Sequence, residues 1–265
     1  MALETAFPAA FDFVCKVERA YAGLMATEFA DRDAGFGGKL IYAGELDGEA
    51  RPLIAAANIA GAGSLAASAD RHAQKQALRE GIADFLVVSL DEALRILKNQ
   101  LRKREPVTVC VGLAPEAVES EMRERGVLPD LLRAELPALR CHEALVLSDS
   151  GPAETAFSDT PTLTIWSVAS APAQWLPKLD AIALECLQPD AWQARRWLQL
   201  APRYLGREAQ GMRLLRCDRE FTARFAERVR QRAERGEIGV AVQIQIRDAA
   251  GRTEDLRIAP GDVGM

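Results

Sequence analysis

A chain of 265 residues has room for one large domain or two modest ones, at roughly 100–200 residues each. Hydrophobic residues at 49% and charged residues at 27% allow a sizeable core. A net charge of −5 and a pI near 5.3 speak against nucleic-acid or anionic-membrane partners, which favour a basic face.

The N-terminal stretch MALETAFPAAFDF lacks a basic region and a sustained apolar core, so it does not read as a signal peptide. Residues 9–30 carry Phe11, Val14, Val17, Tyr21, Leu24 and Met25 at helical spacing, which predicts an amphipathic leading helix. The run GFGGK at 35–39 breaks it, so 1–36 is expected to be a leading helical segment.

A strand–helix alternation follows. Strands are expected at 39–43, 63–67, 84–88, 107–111 and 129–132, and helices at 50–60, 71–80, 90–104 and 114–125. The strands are apolar runs with little polar alternation, as buried parallel strands covered on both faces are. The expected fold class is α/β, a Rossmann-like doubly wound, mostly parallel sheet over 37–140. Ser89 and Glu92 have the spacing of a capping box, and Leu90, Leu94, Leu97 and Leu101 make one stripe with Ala93 and Ile96 beside it. Arg102, Lys103 and Arg104 complement the carbonyl end of that helix. Gly126 is expected to end the next one.

From about 136 the texture changes, and 141–265 is expected to form a C-terminal α/β extension. The polar, turn-rich SDSGPAETAFSDTP at 148–161 reads as a surface excursion or domain junction. Short strands are expected at 143–147, 162–168 and 181–185. A helix is expected at 190–204, with Pro202 straining or ending it. A second, at 218–235, carries Phe221, Phe225 and Val229 on one face. In GVAVQIQIRD, Val240, Val242, Ile244 and Ile246 alternate with Gln243, Gln245 and Arg247. This predicts an edge-type strand, paired as a hairpin with 253–258.

The five cysteines, Cys15, Cys110, Cys141, Cys186 and Cys217, form no CxxC pair, and the histidines are His72 and His142. That excludes a structural zinc site, and no metal is expected. It fits a reducing cytoplasm. No apolar run approaches the ~20 residues of a membrane helix, so a cytoplasmic protein without a membrane partner is expected.

Dinucleotide folds place glycines after the first strand, so that the backbone approaches the pyrophosphate and the next helix presents its amides. Here Gly44 and Gly48 survive in Gly44-Glu-Leu-Asp-Gly48-Glu-Ala-Arg-Pro52, without the G-x-G-x-x-G spacing. Glu45, Asp47 and Glu49 put carboxylates where phosphate charges would sit; at ~4 Å such a like-charge contact costs roughly 1 kcal/mol even in water. The same residues suit an ordinary helix start. Arg51 is the nearby group able to hold an anion. After the second strand, Ser68 and Asp70 are the candidates for a ribose contact, and Asp70 reads equally as the cap of the helix from Arg71.

The stretches GGKLIYAGELDGEARPLIAAANIAGAGSL and GIADFLVVSLDEALRILKNQLRKREPVTVCVGLAPEAVESEMRERGVLPDLL resemble the NAD-binding domain of urocanase (urocanate hydratase). LDEALRI and RGVLPDLL are the most specific parts. RRWLQLAPRY, QGMRLLRC and RGEIGVAVQIQIRD are similar to a following core segment, in the same order. Together they cover about two-thirds of the chain.

The resemblance implies common ancestry with enzymes that use tightly bound NAD as an electrophile, adding water to urocanate without net redox change. In that family a GGMGGAQ-like loop corresponds to ELDGEARP here, the ribose-binding glutamate falls at Ser68, and a cofactor-contacting Gln-Thr-Ser segment falls at Glu135-Leu136-Pro137. All three have changed. The family's important cysteine matches Cys217, seven residues after Gln210, but Asp218-Arg-Glu-Phe replaces the apolar, glycine-rich run beyond it. Arg216 and Arg219 beside Cys217 would lower its thiol pKa, whereas a buried bystander would not react. The family's long N-terminal region and glycine- and histidine-rich C-terminal region have no counterpart.

The expectation is a urocanase-like protein that has lost ordinary hydratase activity, holds no NAD, and keeps a small-molecule ligand or interaction role. Two alternatives stand beside it. One is a functional lyase that retains NAD through Arg51 or Arg71 and uses Cys217. The other is an accessory subunit of a histidine-catabolism enzyme. The family's dimeric state implies a homodimer.

Overall fold

The structure is a computed structural model that describes residues 8–27, 30–133, 145–147, 162–248 and 250–260. The chain divides into two compact units, Lys16–Ala153 and Met1–Cys15 with Glu154–Met265. The division falls inside the leading helix α1 (Pro8–Met25).

The first unit is an α/β domain. It runs β1 (Leu40–Glu45), α2 (Ala50–Ala60), β2 (Gly63–Ala67), α3 (Arg71–Glu80), β3 (Phe85–Val87), α4 (Leu90–Lys103), β4 (Val107–Val111), α5 (Pro115–Glu124), β5 (Leu131–Arg133) and β6 (Leu145–Leu147). The strands form one sheet in the order β3-β4-β2-β1-β5-β6, and every pairing is parallel. Parallel neighbours need crossovers, and α2, α3, α4 and α5 supply those between β1 and β5. β2 and β4 are buried along their whole length, which explains their unbroken apolar sequence.

The chain winds one way from β1 through β2, then returns to lay β5 on the other side of β1. The carboxyl ends of β1 and β5 therefore flank the topological switch point, where open α/β sheets hold their ligands. At the opposite ends, Asp130 fixes this pair. Its carboxylate accepts from Lys39 Nζ at 2.9 Å and from the Leu40 amide at 2.8 Å. The PDLL motif thus sets the β1–β5 register.

Helix α4 follows the expected stripe. Leu90, Ala93 and Leu97 are buried, with Leu94, Ile96 and Leu101 packed beside them. The Ser89 hydroxyl accepts from the Glu92 amide at 3.3 Å. Arg102 and Lys103 lie in the last turn, and Arg104 closes the helix in the left-handed region at φ 58°.

The second unit is built on β7 (Thr162–Val168), α6 (Pro172–Cys186), α7 (Trp192–Tyr204), β8 (Met212–Cys217), α8 (Arg219–Glu234), β9 (Val242–Arg247) and β10 (Thr253–Ile258). Its four strands are antiparallel in the order β10-β9-β7-β8. Trp166 of β7 is fully buried against Phe225 of α8 with ring centroids 4.9 Å apart, and Phe221 stacks on Phe225.

Three expectations are corrected here. The predicted strand at 181–185 lies inside α6: AIALE is apolar enough to read as a strand, yet Leu176, Leu179, Ile182, Ala183 and Cys186 recur at helical spacing and are buried. Pro177 obscured that period, and the buried stripe holds the helix through it. Helix α7 continues past Pro202 to Tyr204, because Trp197, Leu198 and Ala201 anchor it and only its last turn loses an amide. β9 is interior, between β7 and β10. Its alternation arises because Gln243 and Gln245 fill a sheet face, where the Gln245 amide donates to Asp255 at 2.9 Å. The hairpin with 253–258 forms, pairing Thr253 with Arg247 and Ile258 with Val242.

Candidate functional site

The switch point at the ends of β1 and β5 is where open α/β sheets bind ligands, and the candidate residues of the sequence lie there. β1 leaves the sheet through an irregular register between Tyr42 and Gly44, and Gly44 takes φ 73°. That conformation is strained for any residue with a Cβ, which gives Gly44 a backbone reason to be there. Gly48 is exposed, and a Cβ on it would meet nothing within 4 Å. Close packing therefore does not require a glycine at 48.

The Asp47 carboxylate occupies the entrance to α2. Its Oδ1 accepts from the Glu49 amide at 2.9 Å and the Ala50 amide at 2.7 Å. Arg133, from the end of β5, grips the same carboxylate with both terminal nitrogens, at 3.0 and 3.1 Å. The Arg133 side chain is only 9% exposed and that of Asp47 39%. Partial burial pushes the Asp47 carboxyl up, but the Arg133 hydrogen bonds and the Ala50 and Glu49 amides outweigh it and hold it below the usual carboxylate range. Helix-entry amides joined by a guanidinium would serve a phosphate equally well. In this chain the anion they hold is a side chain.

The candidate ribose contact after β2 is likewise engaged by the chain's own groups. Ser68 is fully buried; its amide donates to Val111 O at 3.1 Å, and its carbonyl accepts from Gln74 Nε2 at 2.6 Å. The Gln74 amide reaches over this corner to Gly112, where a Cβ would lie 3.5 Å from Nε2. Asp70 is the cap of α3, accepting from the His72 amide at 2.8 Å. Arg51 pairs with Glu80 at 2.7 Å. Gly44, Gly48, Arg51, Ser68 and Asp70 thus belong to one end of one sheet, and each polar side chain among them has a partner within the chain. Glu135–Pro137 lies outside the described residues.

Beneath this end of the sheet, the Tyr42 hydroxyl donates to Glu119 Oε1 at 3.3 Å. Burial pushes both groups up, and the neighbouring Glu116 carboxylate adds to it. The pair ties α5 to β1.

Cys217 belongs to the other unit, at the end of β8. Its sulfur lies 3.1 Å from the Thr164 hydroxyl and 3.7 Å from the Thr222 hydroxyl, and these two hydroxyls are 2.6 Å apart. Burial pushes the thiol up to about 11, outweighing the two hydroxyls that favour the thiolate. The sequence offered Arg216 and Arg219 as activating cations, but Arg219 is turned to Glu254 at 3.2 Å. At pH 8 a thiol with that pKa is ionised in roughly one molecule in 10³. Iodoacetamide labelling of the native protein, mapped by peptide mass spectrometry, should therefore leave Cys217 largely unmodified, with labelling restored in denaturant. Fast native labelling would contradict a half-buried thiol held un-ionised between the Thr164 and Thr222 hydroxyls.

A shallow apolar crevice in the same unit is lined by Trp197, Pro202, Leu205 and Met212, with Arg213 at its side. Arg213 is committed to Asp180 at 2.8 Å. Convergent polar groups of the kind that orient a ligand are not part of this lining. Among the described residues no group of three or more His, Cys, Asp or Glu side chains is placed to hold a metal ion. No described helix is long and apolar enough to cross a membrane.

Asp47 drew notice in the sequence as one of three carboxylates suited to an ordinary helix start, but its amide and Arg133 partners did not. Arg133 and Gln74 carried no signal, because each reaches the site through tertiary contact. No model of a known protein family matches the chain.

Proposed function

We propose that this chain is a diverged relative of urocanase in which the cofactor seat has been taken over by its own side chains. On this reading it does not perform NAD-dependent hydration of urocanate, and it keeps the domain for a small-ligand or interaction role. The observation that carries the reading is the Asp47 carboxylate, bound by two helix-entry amides and by Arg133 at the switch point. A pyrophosphate entering that seat would have to displace a carboxylate already held by charge-assisted hydrogen bonds. It would also leave that carboxylate beside its own negative charges. Gln74 over Ser68 supports the same reading at the ribose corner.

Native mass spectrometry of protein purified without added nucleotide tests this directly. The expected mass is that of the polypeptide alone, and urocanate absorbance should not fall on incubation with or without NAD. A stoichiometric NAD adduct, or turnover of urocanate, would overturn the proposal and favour a working lyase.

A further inference from the structure

We propose that α5 is a pH-sensitive clamp, seated on β1 while Glu119 is protonated and loosened as that carboxyl ionises. The helix is lightly held. It has 10 residues, short of the ~12–15 at which an isolated helix becomes even marginally stable. Ala114 at its start provides no side-chain cap, and its buried apolar anchors are Val118 and Met122. Short, sparsely anchored elements are the ones that open first.

A carboxyl group lies among those anchors. Glu119 is only 9% exposed, and its Oε1 accepts from the hydroxyl of Tyr42, a β1 residue that is itself fully buried. Glu116, one turn earlier on α5, and Glu45, at the end of β1, add negative charge around that hydroxyl. Arg123 of α5 is the cation that acts on Glu119, and it is exposed. The other elements against α5 bring no counter-charge. β2 has no titratable side chain, and Asp91 of α4 is engaged by Arg125, which also binds Glu121. Arg133 of β5 grips Asp47.

Burial pushes the Glu119 carboxyl up and Glu116 adds to it, and the Tyr42 hydrogen bond and Arg123 do not cancel them. Tyr42 stays a donor, because burial and the same carboxylates push its hydroxyl up as well. A carboxyl raised in the folded state stabilises the seated helix fully below its unfolded value of about 4.3. That contribution is lost as pH rises through the folded value. The sign is opposite to that of Asp47, whose clasp with Arg133 weakens on acidification. α5 starts just beyond Gly112, which packs against Gln74 and donates to Val87 O. Loosening α5 therefore frees the loop at the carboxyl end of β4, whatever that end of the sheet binds.

Hydrogen exchange of the full chain from pH 4.5 to pH 8, corrected for the intrinsic rate at each pH, tests the clamp. Protection of residues 118–124 is expected to fall about threefold or more as pH rises, measured against α4. Glu119→Gln keeps an oxygen to accept from Tyr42 and cannot ionise, so its protection should stay at the acidic wild-type level throughout. Glu124→Gln removes an exposed carboxylate of α5 that bonds Ser120, and should leave the fall in place. The carboxyl carbon shift of Glu119 in the wild-type chain keeps the test valid if Glu119→Gln fails to fold. Its titration midpoint should coincide with the midpoint of the fall, and a displaced midpoint would overturn the proposal. So would flat protection in the wild type, or a fall that persists in Glu119→Gln.

Discussion

Asp180→Ala is expected to lower the unfolding free energy by about 3–5 kcal/mol, the loss typical when one partner of a buried ion pair is removed. Asp180 of α6 and Arg213 of β8 are 12% and 11% exposed, and Arg213 Nε donates to Asp180 Oδ2 at 2.8 Å. The guanidinium also donates to the carbonyls of Ala209 and Met212. Without the carboxylate its hydrogen bonds would largely persist, but its charge would remain buried without an opposite. Burial pushes the Asp180 carboxyl up even against Arg213 and the Trp166 indole, so the cost of desolvation is already present in the pair. A paired apolar replacement, Asp180→Leu with Arg213→Met, is therefore expected to recover most of the loss. Urea denaturation of the two single variants and the double variant gives the comparison. A single-variant loss below about 1 kcal/mol would place the pair in solvent-like surroundings.

The parallel domain was readable because its signals are local. Apolar runs at 63–67 and 107–111, a serine cap at 89 and glycines at helix ends each specify their own element, and the structure places strands and helices at those positions. The second unit resisted where local and tertiary preferences disagree. Pro177 and Pro202 argue locally against helices whose buried stripes, Leu176–Leu179–Ala183 and Trp197–Leu198–Ala201, hold them together. β9 looked like an edge because glutamines alternate along it, although burial of Gln245 depends on β10 lying beside it. The site was legible to the same degree. Glycine spacing and acidic residues after β1 are sequence facts. The arrangement that gives them meaning requires Arg133, which only the β1–β5 pairing brings within reach.

That arrangement makes Asp47 the most informative position in the parallel domain. Asp47→Ala is expected to cost about 2–4 kcal/mol, because the buried guanidinium loses two charge-assisted hydrogen bonds and two helix-entry amides lose their acceptor. The low end allows for solvent screening, since the Asp47 side chain is 39% exposed. Arg133→Met should cost less, about 1–2 kcal/mol, because Asp47 keeps its amides and its access to water while the apolar chain still fills the space. The order of the two losses is the diagnostic feature. A simple surface ion pair would give two small and equal values, whereas a carboxylate seated in an anion site gives a larger loss when the anion goes. pH supplies a second readout. The folded-state pKa of Asp47 is depressed, so its contribution is complete above the unfolded pKa of about 4. It is lost as pH falls through the lower folded value. Wild-type stability should therefore decline on acidification more steeply than that of Asp47→Ala, and urea midpoints measured from pH 6 down to pH 3 would show the curves converging. Parallel curves would mean that Asp47 carries no special charge stabilisation, and the reading of the switch point as a seat filled from within would lose its energetic basis.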